Sequence, residues 1–135
     1  MDLWPAFFKR KARHPLFERN RAFFRHTDQG RAVGDYDFVA FDTELTGLRR
    51  RQDEVVAIGA VRIKNLQIQA GETFHCYVRP TIALPKNSTL IHGITPQQLE
   101  NAPHLKEVLA EFVEFCGPAL LVGHYVNMDA WFINR

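Results

Sequence analysis

The sequence predicts an α/β domain in which helices flank a mixed β-sheet. Three apolar, strand-like segments come first, at 37–42, 54–63 and 72–80. Segments with helical signals come next, and a fourth apolar segment at 119–124 precedes the last predicted helix. This order of strands and helices is typical of a sheet with helices packed on it.

The first three segments predict strands for different reasons. "DFVAFD" (37–42) is a short apolar run that suits a buried strand, and "EVVAIGAVRI" (54–63) is rich in Val and Ile. "ETFHCYVRP" (72–80) alternates apolar with polar residues, which predicts a half-exposed strand that stops at Pro80. Because the connection between the second and third strands is short, we expect an antiparallel hairpin there.

The helices are predicted from their ends and from apolar spacing. Thr95 and Pro96 offer an N-cap and a proline at the first helical position. Residues 103–117 carry an apolar stripe at helical spacing, and Gly117 with Pro118 ends that helix. A last helix is expected to begin at Asn127, which is a fair N-cap.

Length and composition suit one folded domain with an unusual N-terminal segment. The chain has 135 residues, of which 46% are hydrophobic and 12% aromatic, so a disordered chain is excluded. Residues 1–36 hold eight Lys or Arg against four acids, whereas 37–135 hold nine against eleven. We therefore divide the chain into a basic, aromatic arm of two short helices (1–36) and a main domain (37–135). The arm either contacts a phosphate backbone or, as its paired Phe residues favour, packs or docks.

The cysteines and the hydropathy bear on location. Cys76 and Cys116 form no C-x-x-C pattern, so they are expected to be reduced, buried thiols of a cytosolic protein. No apolar stretch reaches the roughly 18 residues that span a bilayer, and the N-terminus lacks the pattern of a secretory signal. A cytoplasmic protein without a membrane partner is the expectation.

The spacing of two acids at the end of the first predicted strand points to a candidate metal site. Asp42 and Glu44 are two residues apart, so in a strand they point to one face. Like charges at close range cost free energy unless a cation lies between them, and hard ions such as Mg²⁺ take carboxylate oxygens. Asp129 comes after another apolar strand, in the first turn of a helix, where the dipole favours a carboxylate. Surface acids at a solvated turn and a helix-capping acid remain the alternative interpretations.

Taken together, these motifs resemble those of the DEDD exonucleases. "VAFDTELTGL" resembles the first motif, D-x-E-T-T-G-L, and "IHGIT" (91–95) is similar to the H-G-I signature of the epsilon proofreading subunit of bacterial DNA polymerase III. "LVGHYVNMDAWFI" resembles the second motif, H-N-x-x-F-D, whose Asp is a metal ligand. The matches run in the family's order from Phe38 to Arg135.

The resemblance implies a fold, a reaction and a site. The fold would be ribonuclease H-like, and the reaction 3′→5′ hydrolysis of nucleic acid, most simply DNA, to nucleoside monophosphates. Two Mg²⁺ or Mn²⁺ ions would be the cofactors, and a single-stranded 3′ end the substrate. A DNA polymerase subunit is the implied protein partner. By position, the metal and catalytic residues would be Asp42, Glu44 and Asp129, and Thr46, Gly47 and Leu48 would lie against the 3′-terminal nucleotide.

One departure from the family pattern concerns the chemistry. The third motif, H-x-x-x-D or H-x-x-x-x-D, supplies the general base and a fourth metal ligand, and it does not occur after Asp129 in residues 1–135. Neither His124 nor His92, which we expect in a loop without a catalytic role, stands at the family's position for the base. We therefore expect no general base in this chain, a fold that is incomplete at its C-terminus, and weak or absent activity.

Three functions stay open on the sequence. The first is a DNA exonuclease of the epsilon type. The second is a non-catalytic module that binds nucleic acid or associates with a polymerase, which the missing third motif favours. The third is an RNA-directed exonuclease of the same superfamily. The H-G-I signature favours the first for the origin of the sequence.

Overall fold

The computed structural model describes residues 19, 22, 24, 25, 28 and 30–134. Most of the predicted arm, including its first helix, lies outside these residues, and of its second helix Arg19, Ala22 and Phe24 are described and helical. A short 3-10 helix at Val33–Asp35 leads into the domain. The main elements are, in chain order, β1 (Phe38–Leu45), β2 (Val55–Lys64), β3 (Gln67–Tyr77), α1 (Lys86–His92), α2 (Pro96–Leu99), α3 (Leu105–Cys116), β4 (Leu120–Val122) and α4 (Val126–Ile133).

The four strands form one mixed sheet in the order β3-β2-β1-β4. β1 is antiparallel to β2 and parallel to β4, and β2 and β3 form an antiparallel hairpin. The predicted mixed sheet and hairpin are therefore confirmed. β3 begins at Gln67, earlier than predicted, because Asn65 and Leu66 close the hairpin as a two-residue turn with φ of 50° and 59°.

Two helix predictions need correction. Helix α1 was not predicted, because Pro85 at its N-cap gives no side-chain cap and both Leu90 and Ile91 are exposed, so no apolar stripe marks it. His92 consequently lies in the last turn of a helix and not in a loop. Helix α4 begins before Asn127, because Tyr125 takes the N-cap position in a left-handed conformation with φ of 49°.

The main core lies between one face of the sheet and helices α3 and α4. Phe112 of α3 packs against Phe41 of β1 and Phe74 of β3, with ring centroids 5.5 and 5.6 Å apart. A smaller cluster, which contains Ala57 and Leu99, places α2 near the other face of the sheet. The main core comprises Val39, Phe41, Leu45, Val55, Ile58, Val78, Val108, Phe112, Cys116, Ala119, Phe132 and Ile133.

Both cysteines are free thiols. Cys116 is buried as predicted, whereas Cys76 is half-buried because β3 is an edge strand of the sheet. Burial raises the pKa of the Cys116 thiol to about 12, so it stays protonated at neutral pH. Within the described part of the chain, no helix is long and apolar enough to cross a membrane.

Candidate nuclease site

Strand β1 carries the first two acids on the face that points away from the main core. Its side chains alternate, so that Val39, Phe41 and Leu45 are buried whereas Asp42 is exposed and Glu44 is half-buried. The structure thus places both carboxylates on one face of the sheet, as the two-residue spacing predicts.

The strand beside these acids carries small residues. Asp42 pairs with Gly59 of β2, and Glu44 pairs with Ala57. Paired residues of neighbouring strands point to the same face, so the sheet surface next to both carboxylates carries no large side chain from β2. A β-bulge lies after Glu44, where Val56 is left without a partner on β1, and the strand turns into the next loop from this point.

Asp129 is brought to β1 because strand β4 is only three residues long. The last parallel pair joins Ala40 to Val122, so among the described residues the edge of β1 beyond it has no strand partner on this side. The Thr43 N–H donates to Asp129 Oδ1 at 3.1 Å, and the Thr43 hydroxyl donates to the same oxygen at 2.5 Å. Asp129 therefore completes the hydrogen bonding of the edge that β4 leaves open.

Gly123 allows the chain to pass close to β1 on its way to helix α4. A Cβ at this position would lie 2.8 Å from the Phe41 carbonyl oxygen, a distance that real Cβ atoms essentially never show. Any other residue would push the chain away from β1. The glycine thus sets how near the first turn of α4, which carries Asp129, comes to Thr43.

Burial and a neighbouring charge both disfavour the ionised form of Asp129. Burial raises the pKa of Asp129, whose residue is 3% exposed, and the charge of Asp42 raises it further. The hydrogen bonds from Thr43 oppose this rise without cancelling it. The protein therefore holds a carboxylate where its negative charge is disfavoured, which is a condition that a bound cation relieves.

The oxygens of these acids are of the type that hard divalent ions take. Among residues 30–134 and the few described before them, however, no three His, Cys, Asp or Glu side chains are grouped so as to hold a metal ion. Asp129 directs one oxygen to Thr43 rather than into a shared centre with Asp42 and Glu44. The donor chemistry fits the implied ions, whereas the ligand set is not assembled.

The turn residues after the acids have structural contacts of their own. Thr46 is buried, its hydroxyl donates to Asp53 Oδ1 at 3.1 Å and it accepts the Glu54 N–H at 3.0 Å. A Cβ on Gly47 would lie 2.7 Å from Asp53 Oδ2, so only glycine fits there. Leu48, in contrast, is 70% exposed and its side chain is available to a ligand.

Asp53 organises this turn, and sequence reasoning missed it. Its carboxylate is 2% exposed and accepts the Arg49 N–H at 2.8 Å and the Arg49 Nε–H at 3.1 Å, besides the Thr46 hydroxyl. Burial alone raises the pKa of Asp53, but these hydrogen bonds outweigh it and hold the pKa below its usual value. An acid four residues after an arginine is the available sequence signal, and it is too common to be specific.

The two histidines near the motifs bind none of these acids. His92 accepts the Ile94 N–H on Nδ1 at 3.0 Å, so its visible role is to fix the turn after α1. Its Nε2 is buried and has no hydrogen-bond partner among the described residues. His124 is exposed and stacks edge-on against Tyr125, with centroids 4.7 Å apart.

Comparison with known proteins supports the resemblance seen in the motifs. The family model described as Exonuclease matches residues 39–135. A PolC-type DNA polymerase III from Caldanaerobacter subterraneus subsp. tengcongensis is 41% identical over 108 residues, covering 80% of this chain and 8% of that protein. The DNA polymerase III subunit epsilon of Aquifex aeolicus is 39% identical over 101 residues, covering 75% of this chain and 49% of that protein. The chain thus spans about half of that subunit and a far smaller share of the PolC-type protein.

Solved structures support the fold. Exonuclease I matches with a TM-score of 0.63 at 21% identity, covering 73% of this chain and 23% of its own. Exonuclease X, solved with 5′ overhanging duplex DNA, matches with a TM-score of 0.61 at 24% identity, covering 70% of this chain and 52% of its own. These likenesses confirm the predicted ribonuclease H-like fold. With a family match from Val39 to the end of the sequence, this chain belongs to the exonuclease family.

Proposed function

We propose that residues 37–135 belong to a metal-dependent 3′→5′ exonuclease domain of the epsilon type, which acts on single-stranded 3′ ends of DNA. The observation that carries this proposal is the placement of Asp42 and Glu44 on one face of β1, with Asp129 hydrogen-bonded to Thr43, the residue between them. Homology to epsilon and PolC-type proteins supports DNA rather than RNA as the substrate. A polymerase subunit as partner is proposed on the same ground.

Asp42, Glu44 and Asp129 would hold the divalent ions, Mg²⁺ or Mn²⁺. Such ions activate the attacking water and stabilise the leaving oxygen. The chain's own contribution is to hold the carboxylates in position, and Thr43 does this for Asp129 through two hydrogen bonds. The exposed Leu48 side chain would pack on the terminal base, while Thr46 and Gly47 shape the turn that carries it.

We further propose that a polypeptide of residues 1–135 hydrolyses DNA weakly or not at all. Neither the His nor the second Asp of the third motif occurs after Asp129 within these residues. Loss of a general base alone costs about 10² to 10⁴ in rate. A protein that binds DNA without cleaving it is thus the second candidate function for this polypeptide.

The test measures ion binding, DNA binding and cleavage on the same protein. Mn²⁺ binding is followed by calorimetry, DNA binding by anisotropy of a 5′-fluorescein-labelled oligothymidylate in Ca²⁺, and cleavage by electrophoresis of that oligonucleotide in Mn²⁺. We expect Mn²⁺ and DNA to bind, and any cleavage to shorten the oligonucleotide from its 3′ end. Asp42→Asn and Glu44→Gln should abolish Mn²⁺ binding, whereas Glu114→Gln on the exposed face of α3 should not.

The outcomes separate the candidates. Slow 3′ shortening that Asp42→Asn abolishes supports the exonuclease, and binding without shortening supports the non-catalytic module. A matched oligouridylate that binds or shortens faster than the DNA would favour the RNA-directed relative. A protein that binds neither Mn²⁺ nor nucleic acid contradicts the proposed function.

A further inference from the structure

Gly59 occupies an unusual place for a glycine. It lies inside β2, which is flanked by β1 and β3 on its two sides. A glycine within a strand weakens it, because it loses more conformational freedom on folding than other residues and has no side chain to pack. A central strand therefore needs a reason to keep one.

Neither backbone conformation nor packing supplies that reason. Gly59 does not have positive φ, unlike Gly93 and Gly117. A Cβ built at Gly59 meets nothing within 4 Å, whereas one at Gly47 or Gly123 would clash. The glycine thus keeps a space open that no described residue fills.

This open space is continuous with the proposed metal site. Across the sheet, Asp42 of β1 pairs with Gly59, and Gly59 pairs with His75 of β3. All three positions point to the same face, so they form a strip, Asp42–Gly59–His75, with a low centre. The strip is two strand spacings wide, which is about 9.6 Å. Asp42 and His75 at its two ends are exposed.

His75, at the β3 end of the strip, is arranged as a side chain that could contact a ligand. The His75 ring packs edge-on against Tyr77, with centroids 5.0 Å apart and planes at 83°. Tyr77 is in turn fixed, because its hydroxyl accepts the Gln98 side-chain N–H at 3.1 Å. An exposed aromatic ring that a second ring supports can stack on a base, since every base has a π-face.

We propose that the Asp42–Gly59–His75 strip is the subsite for the nucleotide next to the 3′-terminal one. Its sugar-phosphate backbone crosses Gly59, where the absent side chain allows close approach, and its base contacts His75. The proposal rests on the proposed function, because metal ions bound at Asp42 would hold the 3′ end of the DNA at one end of the strip. Gly59 and His75 are then binding residues, and Gly59 is retained for ligand access at the expense of strand stability.

The experiment introduces a side chain at Gly59 and compares its effect on DNA affinity with that of the same substitution at a control glycine. Gly59→Val is the test variant and Gly71→Val is the control, because Gly71 is also a strand glycine whose added Cβ would meet nothing within 4 Å. Anisotropy of the 5′-fluorescein-labelled oligothymidylate in Ca²⁺ measures DNA affinity, calorimetry measures Mn²⁺ affinity, and thermal unfolding checks the fold. His75→Ala removes the far contact.

Gly59→Val should weaken DNA binding roughly tenfold or more, the loss expected when the contacts of one nucleotide are removed. It should leave Mn²⁺ affinity unchanged and the melting temperature equal or higher, because Val favours strands. Gly71→Val should leave DNA affinity unchanged, and His75→Ala should weaken it without affecting Mn²⁺. Should Gly59→Val unfold, Gly59→Ala adds one methyl group and should still weaken binding.

Unchanged DNA affinity in Gly59→Val, or in Gly59→Ala if the valine variant is unfolded, overturns the subsite. An equal loss in Gly71→Val also overturns it, because the effect would then be general to the sheet. A wild-type protein that binds neither Mn²⁺ nor DNA overturns the proposed function itself. The two failures are thus distinguished by the behaviour of the wild type.

Discussion

Replacing Asp53 by alanine should destabilise the domain more than the loss of an acid from a solvated loop does, because Asp53 is buried. The carboxylate accepts three hydrogen bonds, from the Arg49 N–H, the Arg49 guanidinium and the Thr46 hydroxyl. The Arg49 side chain is 70% exposed and recovers water, so its ion pair contributes little. The other two donors lose a partner at a site that is 2% exposed, and each such loss costs about 1–3 kcal/mol. We expect Asp53→Ala to cost about 2–4 kcal/mol.

Urea unfolding followed by circular dichroism measures this cost. Glu114→Ala on the exposed face of α3 is the control and should change the free energy of unfolding by less than about 0.5 kcal/mol. Asp53→Asn keeps one acceptor oxygen and should fall between the control and Asp53→Ala. Equal midpoints for Asp53→Ala and Glu114→Ala would refute the assignment of Asp53 as the organiser of the turn.

A second substitution tests whether the contact itself is responsible. Gly47→Ala places a Cβ 2.7 Å from the Asp53 carboxylate, and overpacking of this kind costs about 1–3 kcal/mol. In the Asp53→Ala background the carboxylate is gone, so the added methyl group has room. The cost of Gly47→Ala should therefore shrink in the double variant. Strict additivity of the two costs would contradict the reasoning, because residues in contact are expected to couple.

The same carboxylate gives a dependence on pH. A lowered folded pKa means that the stabilisation by Asp53 is present above its unfolded pKa, near 3.8, and is lost as pH falls through the folded value. The melting temperature of the wild type should thus exceed that of Asp53→Asn at pH 7. The difference should narrow as pH falls below about 4. A constant difference down to the lowest pH at which both proteins fold would count against the lowered pKa.

Four further substitutions or treatments probe the fold and the site. Leu66→Gly should stabilise the hairpin by about 1 kcal/mol, because Leu66 has φ of 59° and glycine adopts that conformation without strain; a lower melting temperature would contradict this. Gly123→Ala should destabilise the domain by about 1–3 kcal/mol and weaken Mn²⁺ binding, because its Cβ would clash with the Phe41 carbonyl and displace Asp129. Unchanged Mn²⁺ affinity would contradict the displacement of Asp129. Phe112→Ala should cost about 3–5 kcal/mol in urea unfolding, because the ring is fully buried between Phe41 and Phe74. Iodoacetamide at pH 7.5 should leave Cys116 unmodified in the native protein and modify it in urea, because its pKa of about 12 and its burial keep the thiol protonated; rapid native labelling would exclude this.

The strands could be predicted because their apolar residues match the pattern of the sheet itself. β1 and β2 are visible in the sequence as apolar runs, although the alternation of burial along β1 was not predicted, and the placement of Asp42 with Glu44 on one face results from the two-residue period. The hairpin was predicted from a short connection, but its turn was not. Asn65-Leu66 lacks the glycine that usually marks such a turn, so the start of β3 was placed too late.

Helix α1 could not be predicted because nothing local requires it. It has no capping side chain, and two of its large apolar residues, Leu90 and Ile91, are more than 80% exposed. Its exit turn supports it, because Gly93 ends the helix with φ of 75° and His92 accepts the Ile94 N–H. Such contacts between a helix and its exit turn have no periodic signature.

Asp53 was overlooked for a related reason. A buried acid is recognised from its partners, and two of these are backbone and hydroxyl groups that any residue sequence can offer. The motif D-x-E-x-T-G-L contains only the residues that would meet a ligand and the turn that follows them. The residue that holds Thr46 and excludes a side chain at Gly47 lies outside the motif and became visible only in three dimensions.

Asp129 shows how the fold and the proposed chemistry depend on one short strand. Because β4 ends at Val122, Thr43 needs another acceptor for its N–H, and the first turn of α4 supplies the Asp129 carboxylate. A longer β4 would satisfy Thr43 by itself and would carry the chain past Asp42. The hydrogen-bond requirement of an open strand edge thus holds a third acid against Thr43, the residue between Asp42 and Glu44, even though burial and the charge of Asp42 both raise the pKa of Asp129. Asp129 stabilises the strand edge because its carboxylate oxygen accepts the Thr43 hydrogen bonds, while burial and Asp42 disfavour its negative charge. A cation bound beside Asp42 would offset this repulsion, and the relief would add to the free energy of cation binding.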